Sequence, residues 1–207
     1  MAYIICIVMG YLMGCISPAY ILSKRQKIDL RTRGTNNLGA TNTFMTMGKA
    51  AGTFVLVYDI LKAFLAVKIA VILYPGFILA GAVAGSAAIV GHIFPLYLKF
   101  KGGKGVASLG GLVLGLDWKL FLFLLLLGVI LAIIFNWGCA ISFSASILFP
   151  LLYSVRIHSP GVFFILMAGS ICIIYKHMEN VRRIRDGREL PVRDFLKQHL
   201  LARKCSL

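Results

Sequence analysis

Long apolar runs separated by short polar segments dominate this chain. The first run covers residues 2–22 and predicts a membrane-spanning helix, because about 20 apolar residues cross the hydrocarbon core of a bilayer. The same pattern predicts further spans over residues 50–73, 77–98, 105–116, 119–135, 138–155 and 159–176. The run 105–116 is short, so it must tilt or extend into the glycine-rich segment before it. The sequence therefore predicts an all-α polytopic membrane protein with about seven transmembrane helices.

Basic residues between these runs indicate the orientation of the chain. The 207 residues are 59% hydrophobic and carry a net charge of +15, which is confined to a few loops and the tail. Residues 24–33 and the tail from Lys176 onward are both rich in Lys and Arg, as cytoplasmic segments usually are. We therefore predict an N-out, C-in protein with one transmembrane domain, 1–180, and a basic cytoplasmic tail, 181–207. This positive charge favours attraction to anionic lipid, and we predict no nucleic-acid binding.

The cysteines and the N-terminus add little chemistry. Cysteines at positions 6, 15, 139, 172 and 205 are scattered and odd in number, which is typical of small core residues rather than disulfides or a metal cluster. Lipidation of a cysteine near a membrane boundary is left open. The first apolar run has no basic segment before it and no small-residue cleavage site, so we predict a retained helix.

The segment from Gly91 to Gly111, GHIFPLYLKFKGGKGVASLGG, has the strongest chemical signal. Glycines around Lys104 allow successive backbone N–H groups to face one concavity, and the next apolar run can begin a helix whose positive end points there. These features predict a phosphate-binding loop. The Walker pattern is absent, because no glycine has the required spacing and Gly105 replaces its Ser or Thr. A basic cytoplasmic loop without a ligand is the alternative interpretation.

Polar residues in two other segments lie on the same predicted side of the membrane. Residues 34–48, GTNNLGATNTFMTMG, are too polar to span and predict a re-entrant or interfacial half-helix lining a polar cavity, or else an Asn/Gly turn. His177 and Asn180 follow the last span, although a lone His at a helix end is more often structural. Together with the glycine loop, these donors favour a phosphorylated substrate with a lipophilic partner.

Asp59 and Lys62 lie within the second span, three residues apart and therefore on one helical face. Ionisable groups inside a span normally face the bundle interior and pair with each other, so we predict a structural ion pair close to the cytoplasmic side. Participation of this pair in function is the alternative. The chain has no paired acids of the glycosidase type, no metal-ligand spacing and no G-x-S-x-G elbow. The sequence accordingly predicts neither a metal site nor a cofactor.

Short motifs in a specific order give the sequence a resemblance to a known family. They are S-P-A-Y from Ser17, D-L-R from Asp29, G-x-x-N-x-G-A-T-N from Gly34, D-x-L-K from Asp59, G-H-x-F-P and F-K-G-G-K-G-V-A within 91–107, and H-x-E-N-x-x-R from His177. The chain resembles the bacterial membrane acyltransferases that move a fatty acyl group from acyl phosphate to glycerol 3-phosphate. Like that family, it lacks the His-x4-Asp pair of acyltransferases that use thioester donors.

The resemblance implies a seven-helix enzyme that makes lysophosphatidic acid, with its active site on the cytoplasmic side of the bacterial inner membrane. The implied partners are acyl phosphate, glycerol 3-phosphate and the lipid bilayer, and the oligomeric state is left open. The implied catalytic residues are Thr35, Asn37, His92, Lys104, His177 and Asn180. The implied substrate-binding residues are Ser17, Arg31, Thr41, Asn42, Lys101, Gly102, Gly103, Gly105, Ser108 and Glu179.

Four positions depart from the family pattern. Thr35 and Asn36 replace the usual Ser-Gly, Met45 replaces an arginine, and Ala63 replaces a glycine. Met45 cannot supply the bidentate phosphate contact of a guanidinium. Either Arg31, Arg33 or Lys49 supplies it, or the chain is a diverged relative with weak activity or another phosphorylated acceptor. A transporter for a phosphorylated solute is the third hypothesis, although the chain has no visible internal repeat.

Overall fold

The computed structural model describes residues 1–197, and within this range the chain folds into helices and connecting turns without strands. The helices are α1 (Ala2–Cys15), α2 (Pro18–Arg25), α3 (Ala40–Met47), α4 (Lys49–Leu73), α5 (Ala80–Ile93), α6 (Val106–Leu116), α7 (Trp118–Phe135), α8 (Cys139–Arg156), α9 (Pro160–Arg185) and α10 (Val192–Leu196). A 3₁₀ turn, Leu96–Leu98, follows α5. The all-α prediction is confirmed.

Five helical segments of the described chain are long and apolar enough to cross a membrane. They are Ala2–Arg25, which joins α1 to α2, Ala80–Leu98, and the helices α7, α8 and α9. The 25-residue α4 carries the charged residues Asp59 and Lys62, and α6 is apolar but only 11 residues long. The membrane class is therefore supported, while the count of seven spans and the N-out, C-in orientation stay predictions.

The predicted division of the chain at residue 180 falls inside α9, which continues without interruption to Arg185. Gly187, with φ +67°, follows the helix end in the left-handed region that glycine tolerates. The last part of the predicted tail, residues 198–207 with Cys205, lies outside the described residues.

Helix α5 forms the centre of the bundle, because its small residues let other backbones approach closely. Gly10 and Gly14 of α1 face Ala84 and Ala88 of α5, and a Cβ on either glycine would lie within 2.2 Å of the opposing carbonyl oxygen. Gly91 of α5 approaches the Tyr11 carbonyl of α1 in the same way. Membrane helices associate through such contacts, since lipid is as apolar as a leucine-rich surface.

Helix α6 runs antiparallel to α5, and this contact determines where the glycine loop lies. Leu116 at the end of α6 contacts Gly81 at the start of α5, while Gly105 at the start of α6 contacts Ile93 at the end of α5. Small residues of α5, such as Gly81 and Gly85, thus leave room for the side chains of α6. At about 1.5 Å per residue, α6 carries the chain along most of α5.

Replacing Gly14 by Ala is expected to destabilise the bundle. The added methyl group would lie 2.1 Å from the Ala88 carbonyl oxygen, so α1 must move away from α5. Overpacking of this kind costs about 1–3 kcal/mol. Thermal unfolding of the detergent-solubilised protein should show a lower Tm for Gly14→Ala. The matched control Gly138→Ala meets no atom within 4 Å and should leave Tm unchanged; equal Tm values for the two variants would contradict the proposed packing.

Candidate active site

The loop after α5 folds back onto the end of that helix through two glycine contacts. The N–H of Gly102 donates to the carbonyl of Ile93 at 3.0 Å, and the N–H of Gly103 donates to the carbonyl of His92 at 3.1 Å. A Cβ on Gly103 would lie 2.2 Å from His92 Nε2. These glycines are needed for close approach, and their amides are already engaged, so the predicted anion nest does not include their N–H groups.

The unpaired amides lie immediately after this pair of glycines. Gly105, with φ +87°, turns the chain into α6, whose N-terminus has no side-chain cap. The N–H groups of Val106, Ala107 and Ser108 make no hydrogen bond within residues 1–197. The hydroxyl of Ser108 is buried and donates to the Asp59 carbonyl at 3.4 Å, so only its amide is free for a ligand. The start of α6 therefore offers the donors and the positive helix end that bind an anion.

Lys104 joins this helix start to the end of α9. Its Nζ donates to Asn180 Oδ1 at 2.5 Å, and Asn180 Nδ2 donates to Glu189 Oε1 at 2.6 Å. Burial lowers the pKa of Lys104 below its usual value; nearby Arg183 lowers it further, and Glu179 opposes this. An anionic ligand would stabilise the charged ammonium, since a nearby negative charge favours the protonated form. The structure therefore brings the predicted residues Lys104 and Asn180 together.

Arg183 belongs to the same cluster, although the sequence analysis did not assign it to the site. Its Nη1 donates to the Thr35 carbonyl at 3.4 Å, and its Nη2 lies 3.1 Å from Oε1 of the exposed Glu179. Its Nε lies 3.4 Å from Glu189 Oε2. Two cations, Lys104 and Arg183, thus face one region. The signal was available in the sequence, because spacings of three place His177, Asn180 and Arg183 on one side of a helix.

Asn42 organises the polar segment before α4. Its side chain is fully buried; Oδ1 accepts from the Thr35 N–H at 2.8 Å, and Nδ2 donates to the carbonyls of Leu30 and Asn37 at 2.7 and 2.9 Å. These bonds use both N–H donors of the amide and one lone pair of Oδ1, which gives Asn42 a structural role. Its substrate-binding role stays a prediction. The predicted half-helix is present as α3, preceded by the irregular residues 34–39.

Four other predicted site residues have polar side chains that are available to a ligand. Thr35 and Asn37 are half-buried, and Thr41 and Lys101 are exposed. None of these four side chains makes a hydrogen bond within the described part of the chain. Thr35 is tied to Arg183 through its carbonyl, which places its hydroxyl near the cation cluster.

Ser17 and Arg31 are engaged elsewhere. The hydroxyl of Ser17 accepts from the Tyr20 N–H at 3.3 Å and caps α2. Arg31 makes two hydrogen bonds of 3.0 Å to the exposed Asp29, and they hold the pKa of that carboxyl below its usual value. Nothing in these contacts brings either side chain to Lys104, so their predicted substrate-binding roles are not supported.

The two predicted histidines are both buried, but their contacts differ. The Nδ1 of His177 donates to the Ile173 carbonyl at 2.8 Å, and its Nε2 lies 3.0 Å from the Ser142 hydroxyl. Both ring nitrogens are therefore occupied, and the structural interpretation of His177 is favoured over a catalytic one. The Nδ1 of His92 lies 2.9 Å from Nζ of Lys62, which forms the predicted ion pair with Asp59 at 2.7 Å.

An apolar cavity of about 380 Å³ opens between α7, α8 and α9. Phe143 lines this cavity, and its ring also contacts the His177 ring, with 6.0 Å between their centroids. The other lining residues are Leu131, Phe135, Trp137, Cys139, Ala140, Ser144, Ile147, Val181 and Ile184. Such a space, between apolar helices and beside a cation cluster, is suited to a hydrocarbon chain with an anionic head.

The departures from the family pattern fit this backbone. Asn36 has φ +56°, a left-handed conformation that asparagine adopts more readily than most residues and that glycine adopts freely. Ala63 is fully buried against Gly111 of α6. A Cβ added to Gly111 would lie 3.0 Å from the Cβ of Ala63. Met45 is half-buried and brings no charge to α3.

Comparisons with known proteins agree with this arrangement. Residues 4–187 match the family described as glycerol-3-phosphate acyltransferase. The proteins of that name from Coxiella burnetii (strain RSA 493 / Nine Mile phase I) and Endomicrobium trichonymphae are 39% and 40% identical to this chain. The alignments cover 91% and 94% of this chain and 97% and 98% of the relatives.

Two crystal structures of PlsY (YgiH), an integral membrane glycerol 3-phosphate acyltransferase, have the same fold. The glycerol 3-phosphate form matches with a TM-score of 0.85 and 31% identity, covering 92% of this chain and 96% of PlsY. The lysophosphatidic acid form matches with a TM-score of 0.82 and 30% identity, covering 92% and 95%. Sequence, fold and the motifs around Lys104 and Asn180 lead to one conclusion: the chain belongs to the glycerol-3-phosphate acyltransferase family.

Proposed function

We propose that this enzyme transfers a fatty acyl group from acyl phosphate to the 1-hydroxyl of glycerol 3-phosphate, with lysophosphatidic acid as the product. The observation that carries the proposal is the convergence of Lys104, Arg183 and Asn180 on the amide-rich start of α6. Such donors suit phosphate groups. The PlsY structures in glycerol 3-phosphate and lysophosphatidic acid forms support the choice of acceptor and product.

The reaction needs no general base from the protein. The acceptor hydroxyl oxygen attacks the acyl carbonyl carbon, the carbon–oxygen bond to phosphate breaks, and inorganic phosphate leaves. A phosphate oxygen takes the hydroxyl proton, which suits a site where both nitrogens of His177 are occupied by protein groups. Clamping both phosphates between Lys104 and Arg183 orients the acceptor and raises its effective concentration.

Backbone amides at the start of α6 stabilise the charge that develops on the acyl oxygen. The N–H groups of Val106 and Ala107 have no partner within residues 1–197 and need no rearrangement before reaction. Removing one such donor typically costs about 3–4 kcal/mol of transition-state stabilisation. Asn37 and Thr35, whose polar side-chain atoms are uncommitted, are placed to hold the glycerol hydroxyls.

The apolar cavity between α7, α8 and α9 holds the acyl chain of the donor. Its walls are almost entirely hydrocarbon, and Phe143 connects it to the polar cluster. A donor that enters from the bilayer then places its phosphate at Lys104 while its chain stays in apolar surroundings.

The site lies on the cytoplasmic side of the bacterial inner membrane. The last turns of α2 and α9 carry Lys24, Arg25, Arg182, Arg183 and Arg185. The contact between Arg183 and Thr35 joins the end of α9 to the segment that follows α2, which supports one shared side for the two basic segments. Such clusters lie in the cytoplasm in most membrane proteins.

An assay with purified protein tests this function. Acyl phosphate and several phosphorylated acceptors should be offered side by side, and the products analysed together with released inorganic phosphate. We expect monoacylated glycerol 3-phosphate and one phosphate per turnover. A preference for another acceptor would assign the loss of arginine at Met45 a role in specificity. Uptake of labelled solute into vesicles without any acyl product would instead establish a transporter.

Replacing Lys104 by Ala should lower kcat/KM by about 10²-fold or more, because a half-buried cation at the phosphate site is lost. The fold should persist, as shown by an unchanged melting transition. Lys119→Ala is the matched control, since Lys119 is exposed on α7 next to Trp118 and should retain normal turnover. Normal turnover of Lys104→Ala would remove this lysine from the site.

Replacing Ala140 by Phe should shorten the acyl chains that the enzyme accepts. The larger ring occupies part of the 380 Å³ cavity, so KM should rise for long donors and change little for short ones. Ala168→Phe carries the same substitution on an exposed position of α9 outside the cavity. Kinetics with donors of graded length measure the effect, and parallel profiles for the two variants would place the chain elsewhere.

A further inference from the structure

A buried polar cluster of Asp59, Lys62 and His92 lies between α4 and α5, next to the glycine loop. Asp59, Lys62 and His92 are 2%, 4% and 7% exposed, so all three are sequestered from solvent. Removing ionisable groups from water costs several kcal/mol per ion, and a buried ion pair contributes little net stability relative to apolar residues. Charged residues inside membrane bundles are therefore usually functional. The proposed reaction leaves Asp59 and Lys62 without a role.

The contacts of Lys62 determine the protonation of its neighbours. Its Nζ forms an ion pair with Asp59 Oδ1 at 2.7 Å. It also donates to the Ile16 carbonyl at 2.8 Å, at the point where the helical conformation is interrupted between α1 and α2. Its third neighbour is His92 Nδ1 at 2.9 Å. An ammonium group has three donors and no acceptor. In the ion pair, Lys62 therefore donates to Nδ1 at 2.9 Å. Asp59 Oδ1, which could accept a proton from the same nitrogen, lies farther away at 3.4 Å. The closer ammonium group leaves Nδ1 unprotonated.

We propose that Lys62, oriented by Asp59 and the Ile16 carbonyl, fixes His92 as the neutral Nε2–H tautomer. In this form the ring presents an N–H donor at the glycine loop, for a phosphorylated substrate bound beside Lys104. Asp59 and Lys62 are thus positioning residues that act through His92. The role of this donor in catalysis rests on the proposed function, but the tautomer itself does not.

The glycine loop packs directly against the Nε2 edge of the His92 ring. A Cβ on Gly103 would lie 2.2 Å from Nε2, so any other residue at this position would collide with the ring. The His92 carbonyl accepts the Gly103 N–H, which holds the loop and the ring in one unit. Nε2 makes no hydrogen bond within residues 1–197, and Lys104 is the next residue along the loop.

His177 provides an internal reference with the opposite tautomer. Its Nδ1 lies 2.8 Å from the Ile173 carbonyl, which can only accept, so Nδ1 carries the proton. Its Nε2 then accepts from the Ser142 hydroxyl at 3.0 Å. The two buried histidines differ because a lysine ammonium contacts one Nδ1 and a carbonyl contacts the other.

Nitrogen NMR of the full chain with ¹⁵N-labelled histidine tests the tautomer directly. The chain has 4 histidines, and single substitutions assign the ring signals. We expect a pyrrole-type Nε2 and pyridine-type Nδ1 for His92, and the reverse for His177. Replacing Asp59 by Asn together with Lys62 by Met removes the ion pair without leaving one buried charge, and should abolish the preference at His92 alone. A protonated Nδ1 on His92, or an unchanged spectrum in the double variant, would overturn the proposal.

Kinetics test whether the donor is used. His92→Gln keeps a side-chain N–H near the position of Nε2, whereas His92→Asn keeps one only near Nδ1. We expect His92→Asn to lower kcat about 10²-fold, the usual effect of losing one transition-state donor. His92→Gln should retain most of the wild-type kcat. The Asp59→Asn/Lys62→Met changes should add little to His92→Asn, because residues that act through one group are not additive.

The results separate failure of the inference from failure of the proposed function. If the enzyme transfers acyl groups but Gln is no better than Asn, the donor role of His92 is wrong. If the tautomers are as expected but no acylated glycerol 3-phosphate forms, the proposed reaction is wrong and the positioning of His92 stands.

Discussion

Close backbone approach around α5 is the constraint on which the rest of the structure depends. Gly10 and Gly14 of α1 lie directly against α5 carbonyls, and Gly102 and Gly103 fold the following loop onto the end of the same helix. Side chains at these positions would separate elements that now share hydrogen bonds. The phosphate loop is therefore an extension of the packed core, held as firmly as the helices that carry it, which is the condition for a preorganised site.

Electrostatic balance in the site is achieved with few carboxylates. Glu179 and Glu189 lie near Arg183, and Asn180 connects Lys104 to Glu189. The cations therefore have partners before a phosphate arrives, and the substrate exchanges these contacts for stronger ones. Burial that lowers the pKa of Lys104 also increases the strength of a new ion pair, because screening by water is reduced. In the proposed reaction, the same donor-rich surroundings bind the phosphates and provide no general base.

The apolar cavity and the polar residues are adjacent where α8 contacts α9. The Phe143 ring lies between the apolar cavity and the His177 contact, and Ser142 on the preceding position of α8 holds that histidine. Adjacent residues of one helix thus serve the hydrocarbon side and the polar side. This arrangement is suited to a reaction that joins a lipid-soluble donor to a water-soluble acceptor.

The amino-acid pattern was sufficient for the class of fold, the membrane, the family and the paired Asp59 and Lys62, because these depend on run lengths, motif spacing and helical periodicity. The motif also marked Lys104 and Asn180 as one site. The roles of Asn42, His177 and the amides of Gly102 and Gly103 were decided by contacts between residues far apart in the chain. A polar residue that binds substrate and one that satisfies a buried carbonyl look the same in sequence. The helical spacing from Asn180 indicated the side of α9 on which Arg183 lies, but only the fold showed its contact with Thr35, 148 positions away.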